Sequence, residues 1–289
     1  MEYYVHLCIL IALYFILVQS MNLTLGLGQL FNLAHVASYA IGAYATALLS
    51  TSLEWGTYAC VASSVLAGGL TALLIGAIST RLEQDYFAIG SMAFSAVVSA
   101  VLINWKTVTG GVLGIAGIPR PTLFGYELVE NLHFLIFVSV LALCVLSVLF
   151  VMFRNRFART LRALSEHPQA TEALGNSSGT TRLVAFVVAS ACAGLAGSIY
   201  SYYFNYIDPS SFSLTEMIFI MTIVVVGRPG SFWGALAASC FLVLLPEALR
   251  FAEFSPDILG PMRQLLCALI MFLVVACNRS KLFPVQRSV

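Results

Sequence analysis

The sequence predicts an all-α fold, a polytopic bundle of transmembrane helices, and two observations carry that reading. The first is composition: 60% of the 289 residues are hydrophobic and 9% are charged, against about 25% charged in a soluble domain. The second is distribution. No Asp, Glu, Lys or Arg stands between Glu2 and Glu54, and further charge-free runs cover 56–80, 86–105, 131–153 and 183–207. A helix needs about 20 apolar residues to cross the hydrocarbon core of a bilayer, and each run is long enough. Nothing outside these runs is long enough for a separate domain, so residues 1–289 are read as one transmembrane domain.

Taken in order, the runs give about nine spans, near 3–21, 33–52, 57–80, 86–105, 131–153, 183–206, 213–227, 231–249 and 259–278. The segment 22–32 is a candidate for an extra half-span, which makes eight to ten the range. The N-terminus lacks the basic region of a signal peptide, so 3–20 reads as a retained first span. Basic residues collect on the cytoplasmic side of membrane proteins. Arg154, Arg156, Arg159, Arg162 and Arg182 mark the loop after the fifth span as cytoplasmic. Arg279, Lys281 and Arg287 mark the C-terminal tail likewise, and Arg81 falls on the same side. Counting back puts the N-terminus and the loop 106–130 outside, although that loop holds Lys106 and Arg120.

Small residues recur every fourth position in three spans: Ala34, Ser38, Gly42, Thr46; Ser64, Gly68, Ala72, Gly76, Thr80; and Ala185, Ala189, Ala193, Gly197, Ser201. Close backbone approach holds helices together in lipid, so these three spans are expected to pack tightly. The net charge of +1 gives no reason to expect nucleic acid as a partner. The seven cysteines show no C-x-x-C spacing; they read as apolar packing residues, with no metal site expected.

Four segments hold the remaining chemistry. The basic stretch 154–182 reads as two short helices, 157–164 and 168–174. Ser165 is a candidate N-cap, Pro168 suits a first turn and Gly175 suits the position just past the second helix. Leu161, Leu164, Ala170, Ala173 and Leu174 give it an apolar surface that a solvated loop does not need, which suggests docking of a soluble partner. The run from Thr109 to Pro121 holds Gly110, Gly111, Gly114 and Gly117, and predicts irregular backbone at a surface or beside a cavity. It lacks the Gly-Lys-Ser/Thr ending of a phosphate-binding loop, so no ATPase is expected on this chain. Asn22, Gln29, Asn32 and His35, with Gly26 and Gly28 between them, interrupt an apolar run where polar groups are costly, and look like a broken helix beside a solute path. Gly227-Arg228-Pro229-Gly230-Ser231 is a tight turn. Glu216 and Glu247 lie near span ends and read as interfacial.

At these residues the sequence resembles a known family, the M-type (LivM-type) permease subunit of bacterial branched-chain amino acid ABC transporters, over nearly its whole length. Asn22-Leu23, Gly26, His35 and Ile41-Gly42-Ala43-Tyr44 match its opening pattern. Arg81-Leu82 and the run from Asp85 to Ile89 match the next segment. Thr109-Gly110-Gly111, Gly114-Ile115 and Gly117-Ile118-Pro119 are the most specific. Arg159, Arg162-Ala163-Leu164 and Glu172-Ala173-Leu174-Gly175 resemble the loop that docks on the ATPase. Ala185-Phe186, the run from Ala193 to Gly197, Pro209 and Phe212 follow in order. Two departures stand out: the family's Gly-Gly-x-Gly-Ser turn carries Arg228 and Pro229 here, and His167-Pro168 replace acidic residues.

The resemblance implies an importer membrane domain of the vitamin B12 importer type, working by alternating access. It also implies a homologous second permease, two cytoplasmic ATPases that carry the ATP and Mg, and a periplasmic substrate-binding protein. The chain would sit in a bacterial inner membrane with its C-terminus in the cytoplasm and move branched-chain or related amino acids. Arg159, Arg162, Glu166, Glu172 and Gly175 would couple it to the ATPases. The alternative is a secondary carrier or channel for a small solute such as urea or an amide. It leaves the apolar residues of 157–174 unexplained. An intramembrane enzyme is disfavoured, since neither His-Glu-x-x-His nor Gly-x-Ser-Gly occurs.

Overall fold

The computed structural model describes residues 2–79, 84–123, 125–250 and 256–277. Thr80, Arg81, Leu82, Arg279, Lys281 and Arg287 lie outside the described residues. The long helices follow the charge-free runs. They are α1 Glu2–Met21, α2 His35–Ser52, α3 Thr57–Ser79, α4 Gln84–Asn104, α6 Asn131–Arg154, α9 Ser178–Phe204, α10 Leu214–Val226, α11 Phe232–Arg250 and α12 Pro256–Cys277. Short helices fill the connections: α5 Lys106–Thr109, α7 Arg156–Glu166 and α8 Pro168–Ala173. The strands are two residues each. β1 Ile115–Ala116 pairs antiparallel with β4 Tyr206–Ile207, and β2 Thr122–Leu123 with β3 Tyr126–Glu127.

Among the described residues five helical stretches are long and apolar enough to cross a membrane. α1 continues without a break into a π-helical turn, Asn22–Leu27, and counts with it as one such stretch. The most apolar windows of α1 and α9 are more than half buried, at 56%, against 17% in α4 and 22% in α6. α1 and α9 therefore form the inside of the bundle and α4 and α6 its outside. Leu132, Ile136, Val140 and Leu143 of α6 point outward at i, i+4 and i+3 spacing, a large apolar stripe suited to lipid.

The three small-residue stripes do pack on one another. A Cβ added to Gly42 would lie 2.7 Å from the carbonyl carbon of Gly194, and one on Gly68 would lie 3.1 Å from the Gly194 Cα. One on Gly197 would lie 3.1 Å from the carbonyl carbon of Gly42. Ser201 Oγ donates to Ala43 O at 2.9 Å, and the Ser38 and Thr71 hydroxyls meet at 2.7 Å. α9 is a wedge between α2 and α3. Its contact face is wider than the stripe read from the sequence and takes in Ser190 and Gly194, because α9 serves two neighbours at once.

α10 falls within one residue of the expected run 213–227 at each end. It has 13 residues and is about 20 Å long at 1.5 Å per residue, short of the ~30 Å hydrocarbon core. A 3-10 turn, Pro209–Phe212, precedes it and buries Phe212 against Tyr39, ring centroids 4.9 Å apart. The chain thus re-enters the bundle before α10 begins.

Candidate functional site

One end of the bundle carries Arg154, Arg156, Arg159, Arg162, Arg182 and the turn between α10 and α11. α7 forms there because Ala158, Leu161 and Leu164 fall at helical spacing, and all three are buried. Ala158 and Leu161 pack with Leu23 and Leu27 of the π-helical turn and with Leu149 and Ala185. This corrects the expectation that Leu161 and Leu164 belong to a surface for a soluble partner: that face of α7 is used inside the chain. Ser165 is not a cap either. It lies within α7, its hydroxyl donates to Arg162 O at 2.7 Å, and His167 holds the capping position before Pro168. Gly175 has φ +85° just past α8, the left-handed conformation expected there.

α8 presents what α7 does not. Gln169, Ala170, Glu172, Ala173 and Leu174 are exposed, Leu174 to 83%. Arg159, Glu166 and Glu172 are exposed as well, and so is Arg162, whose guanidinium reaches the turn between α10 and α11. Its Nη2 donates to Gly230 O at 2.9 Å. The Gly230 N–H donates to Asn22 Oδ1 at 2.8 Å, and Asn22 Nδ2 donates to Ser231 O at 3.1 Å. Gln19 Nε2 completes the set on Phe232 O at 2.6 Å. The turn is thus clamped between α7 and the end of α1. Gly26 is part of the clamp, since a Cβ there would overlap the Gly230 nitrogen.

Arg228, in this turn, has φ +64°, a conformation that costs an L-residue about 1–2 kcal/mol. Arg228→Gly is therefore expected to raise stability by about 1 kcal/mol, read as a higher midpoint of thermal unfolding in detergent.

The broken helix spreads its four polar residues. Asn22 is buried in the clamp, and Gln29 is exposed with φ +50°. Asn32 Oδ1 accepts from Ala34 N at 3.1 Å just ahead of α2, while His35 Nε2 meets the Ser20 hydroxyl at 3.2 Å. Asn32 Nδ2 and His35 Nδ1 are buried with no hydrogen-bond partner among the described residues. Such groups normally face water or a polar ligand.

At the opposite end Gly110, Gly111, Gly114 and Gly117 all take positive φ, between +64° and +77°. Gly117 and Ile118 N–H donate to Asn205 O, and Asn205 Nδ2 donates to Ile118 O at 2.7 Å. The loop is irregular as expected, and it is docked on the start of the re-entrant segment. Gly114 is the tightest point, where a Cβ would come 2.8 Å from the Asp208 Cα. Gly114→Ala is expected to free the loop from β4 at a cost above about 1 kcal/mol, seen as faster amide exchange over 111–118. Burial works against the charge on Asp208. The Ser210 and Ser211 hydroxyls and backbone N–H groups outweigh it and hold its carboxyl below the usual range.

Glu216, read from the sequence as interfacial near a span end, is partly buried in the first turn of α10. It lies inside the bundle, where the Tyr14 hydroxyl donates to its Oε1 at 2.6 Å. Both line a cavity of 310 Å³ between α1, α2, α9, α10 and α11. Among the described residues no group of three His, Cys, Asp or Glu could hold a metal.

The chain is a multi-pass helical membrane protein with a broken helix, an exposed basic element and a largely apolar cavity that holds one carboxylate, and comparison with known proteins places it among transport permeases. The profile of one family, described as branched-chain amino acid transport system permease component, matches residues 3–275, and the chain belongs to that family. It is 33% identical over 281 residues to the high-affinity branched-chain amino acid transport system permease protein LivM of Escherichia coli K12, covering 89% of this chain and 66% of that one. The Salmonella typhimurium LivM protein is 33% identical over 273 residues, covering 86% and 64%. A probable LivM permease of Methanocaldococcus jannaschii is 25% identical over 189 residues, covering 63% and 54%. The chain therefore spans between about half and just under two thirds of the length of these curated relatives. No solved structure matches it.

Proposed function

We propose that this chain is the membrane-spanning permease subunit of an ATP-driven importer for branched-chain or related amino acids, working by alternating access. The observation that carries the reading is the pairing of an exposed α8 with an α7 bonded through Gly230 to Asn22. A partner seated on α8 would move α7, and α7 would pull on the broken helix. The partners are a homologous second permease, two cytoplasmic ATPases that bring ATP and Mg, and a periplasmic substrate-binding protein. The arginine-rich end is cytoplasmic by the positive-inside rule, in a bacterial inner membrane, with the C-terminus on the same side and the N-terminus opposite.

We take the nine long helices as nine spans of the vitamin B12 importer type, with 154–182 as the coupling loop. Arg159, Glu166, Glu172 and Gly175 shape its contact with the ATPase, and Arg162 carries the movement inward. Asn32 and His35, with their unpartnered atoms, fit a hydrated path beside the break; Asn22 and Gln29 flank it.

The test is a mild-detergent pull-down of the tagged chain with mass spectrometry, beside a Glu172→Arg, Leu174→Asp variant. A second permease and ATPases with the wild type, and ATPases lost from the variant, support the reading. A chain that comes down alone, or as a homo-oligomer, with ATPases present in the cell overturns it in favour of a carrier or channel.

A further inference from the structure

α6 has 24 residues and is about 36 Å long at 1.5 Å per residue, more than the ~30 Å hydrocarbon core. With its outward stripe in lipid, its last turn reaches the headgroup layer. That stripe, from Ile136 through Val140 and Leu143, continues over Ser147 and Val151, and Arg154 stands exposed at its end.

Arg154 has a defined seat there. Its guanidinium carbon lies 4.8 Å from the centre of the Phe150 ring. Phe150 in turn meets Phe232 and Trp233 of α11, with ring centroids 5.2 and 6.2 Å away, and Trp233 is 69% exposed. A guanidinium stacked on a ring keeps its N–H groups in its own plane, free to meet an acceptor. Among the described residues Arg154 donates to no acceptor and is in no ion pair. The same holds for Arg156, two residues on and also exposed.

The cation, the ring and the stripe call for one ligand. Phosphate oxygens accept arginine N–H groups in pairs. Trp side chains settle at the level of lipid headgroups, and the stripe of α6 gives an acyl chain a course that ends at the cation. A free phosphate or a protein carboxylate would use the cation and leave Trp233 and the stripe uncovered.

We infer that the junction of α6 and α7 is a binding site for an anionic phospholipid. Its phosphate sits on Arg154 and Arg156, its glycerol end against Phe150 and Trp233, and one acyl chain along Val151 and Leu143. The site goes beyond the transport reading and does not depend on which solute the chain moves.

The experiment is quenching of Trp233 fluorescence by lipids brominated on their acyl chains. The full chain, with Trp55→Phe and Trp105→Phe, is placed in phosphatidylcholine vesicles. Brominated phosphatidylglycerol is expected to quench at a mole fraction at least roughly fivefold lower than brominated phosphatidylcholine does, the gain of one arginine or more toward an anionic lipid. Arg154→Gln with Arg156→Gln is expected to bring the two lipids within about twofold of each other. A variant that keeps Trp55 alone, at the end where Thr57 Oγ1 meets the Thr122 N–H, is expected to show no preference. Equal quenching of Trp233 by the two lipids overturns the inference. So does a preference that survives in the double Gln variant or appears equally at Trp55. A preference abolished by millimolar inorganic phosphate at fixed ionic strength makes this a free-phosphate site and overturns the lipid assignment. If the double Gln variant fails to purify, the phosphate competition and the Trp55 comparison decide.

Discussion

Gly194→Leu is expected to leave no folded protein in a detergent extract, whereas Gly69→Ala extracts and unfolds like the wild type. Gly194 faces Gly42 on one side and Ser64 and Gly68 on the other, so its neighbours are main-chain atoms of two helices. Extra methylenes in a packed core typically cost 1–3 kcal/mol when side chains can shift. Main chain cannot shift by rotamer, so here α2 and α3 would have to separate, at a cost above about 3 kcal/mol. A Cβ on Gly69, by contrast, would lie 3.9 Å from the Ala191 Cβ and the Val187 Cγ1, an ordinary contact. Size-exclusion profiles and thermal unfolding of the purified variants check both expectations. Equal behaviour of the two would mean that α9 is not wedged between α2 and α3.

On the proposed function, Asn22→Ala and Arg162→Ala are expected to keep the ATPases bound and to lose solute movement at least about tenfold, each removing a bond to the backbone of Gly230. Asn22→Ala strands the Gly230 N–H and the Ser231 carbonyl, at about 1–3 kcal/mol for each buried group left unpaired. Arg162→Ala removes a charge-assisted bond to Gly230 O, of the stronger kind. The variants act on one linkage, so the double variant should be little worse than either single one. Uptake and ATP hydrolysis measured together distinguish this from lost docking. Docking variants on α8 lose hydrolysis stimulated by the assembly, and linkage variants keep it. Additive losses in the double variant would show that α7 and the broken helix act separately.

The helices were legible because lipid leaves a coarse mark: charge-free runs such as 56–80 and 131–153 predicted α3 and α6 to within a few residues. The three stripes were legible because Gly42, Gly68 and Gly197 are small for a reason that acts over one helix repeat. Gly175 was legible from local backbone chemistry. What stayed hidden depended on who faces whom. Leu161 looks the same whether it greets a foreign protein or Leu23, and Asn22 looks the same whether it lines a path or holds a turn. Glu216 read as interfacial from its place at a span end, and the Tyr14 hydroxyl that meets it from α1 left no mark in the sequence.

The closeness of α2, α3 and α9 also limits how the molecule can change shape. Surfaces that meet as main chain on main chain have no side-chain gears to re-mesh, and packed cores tend to be bistable rather than elastic. These three helices therefore turn as one block, a fixed frame. Any rocking has to open at seams where long side chains interleave, such as α1 with α6, or α10 with α11 and α12. The cavity sits on that boundary, with Tyr39 and Tyr200 on the block and Tyr14, Glu216 and Val243 on the parts that can swing. A few degrees of relative rotation would widen or pinch it without breaking a single helix.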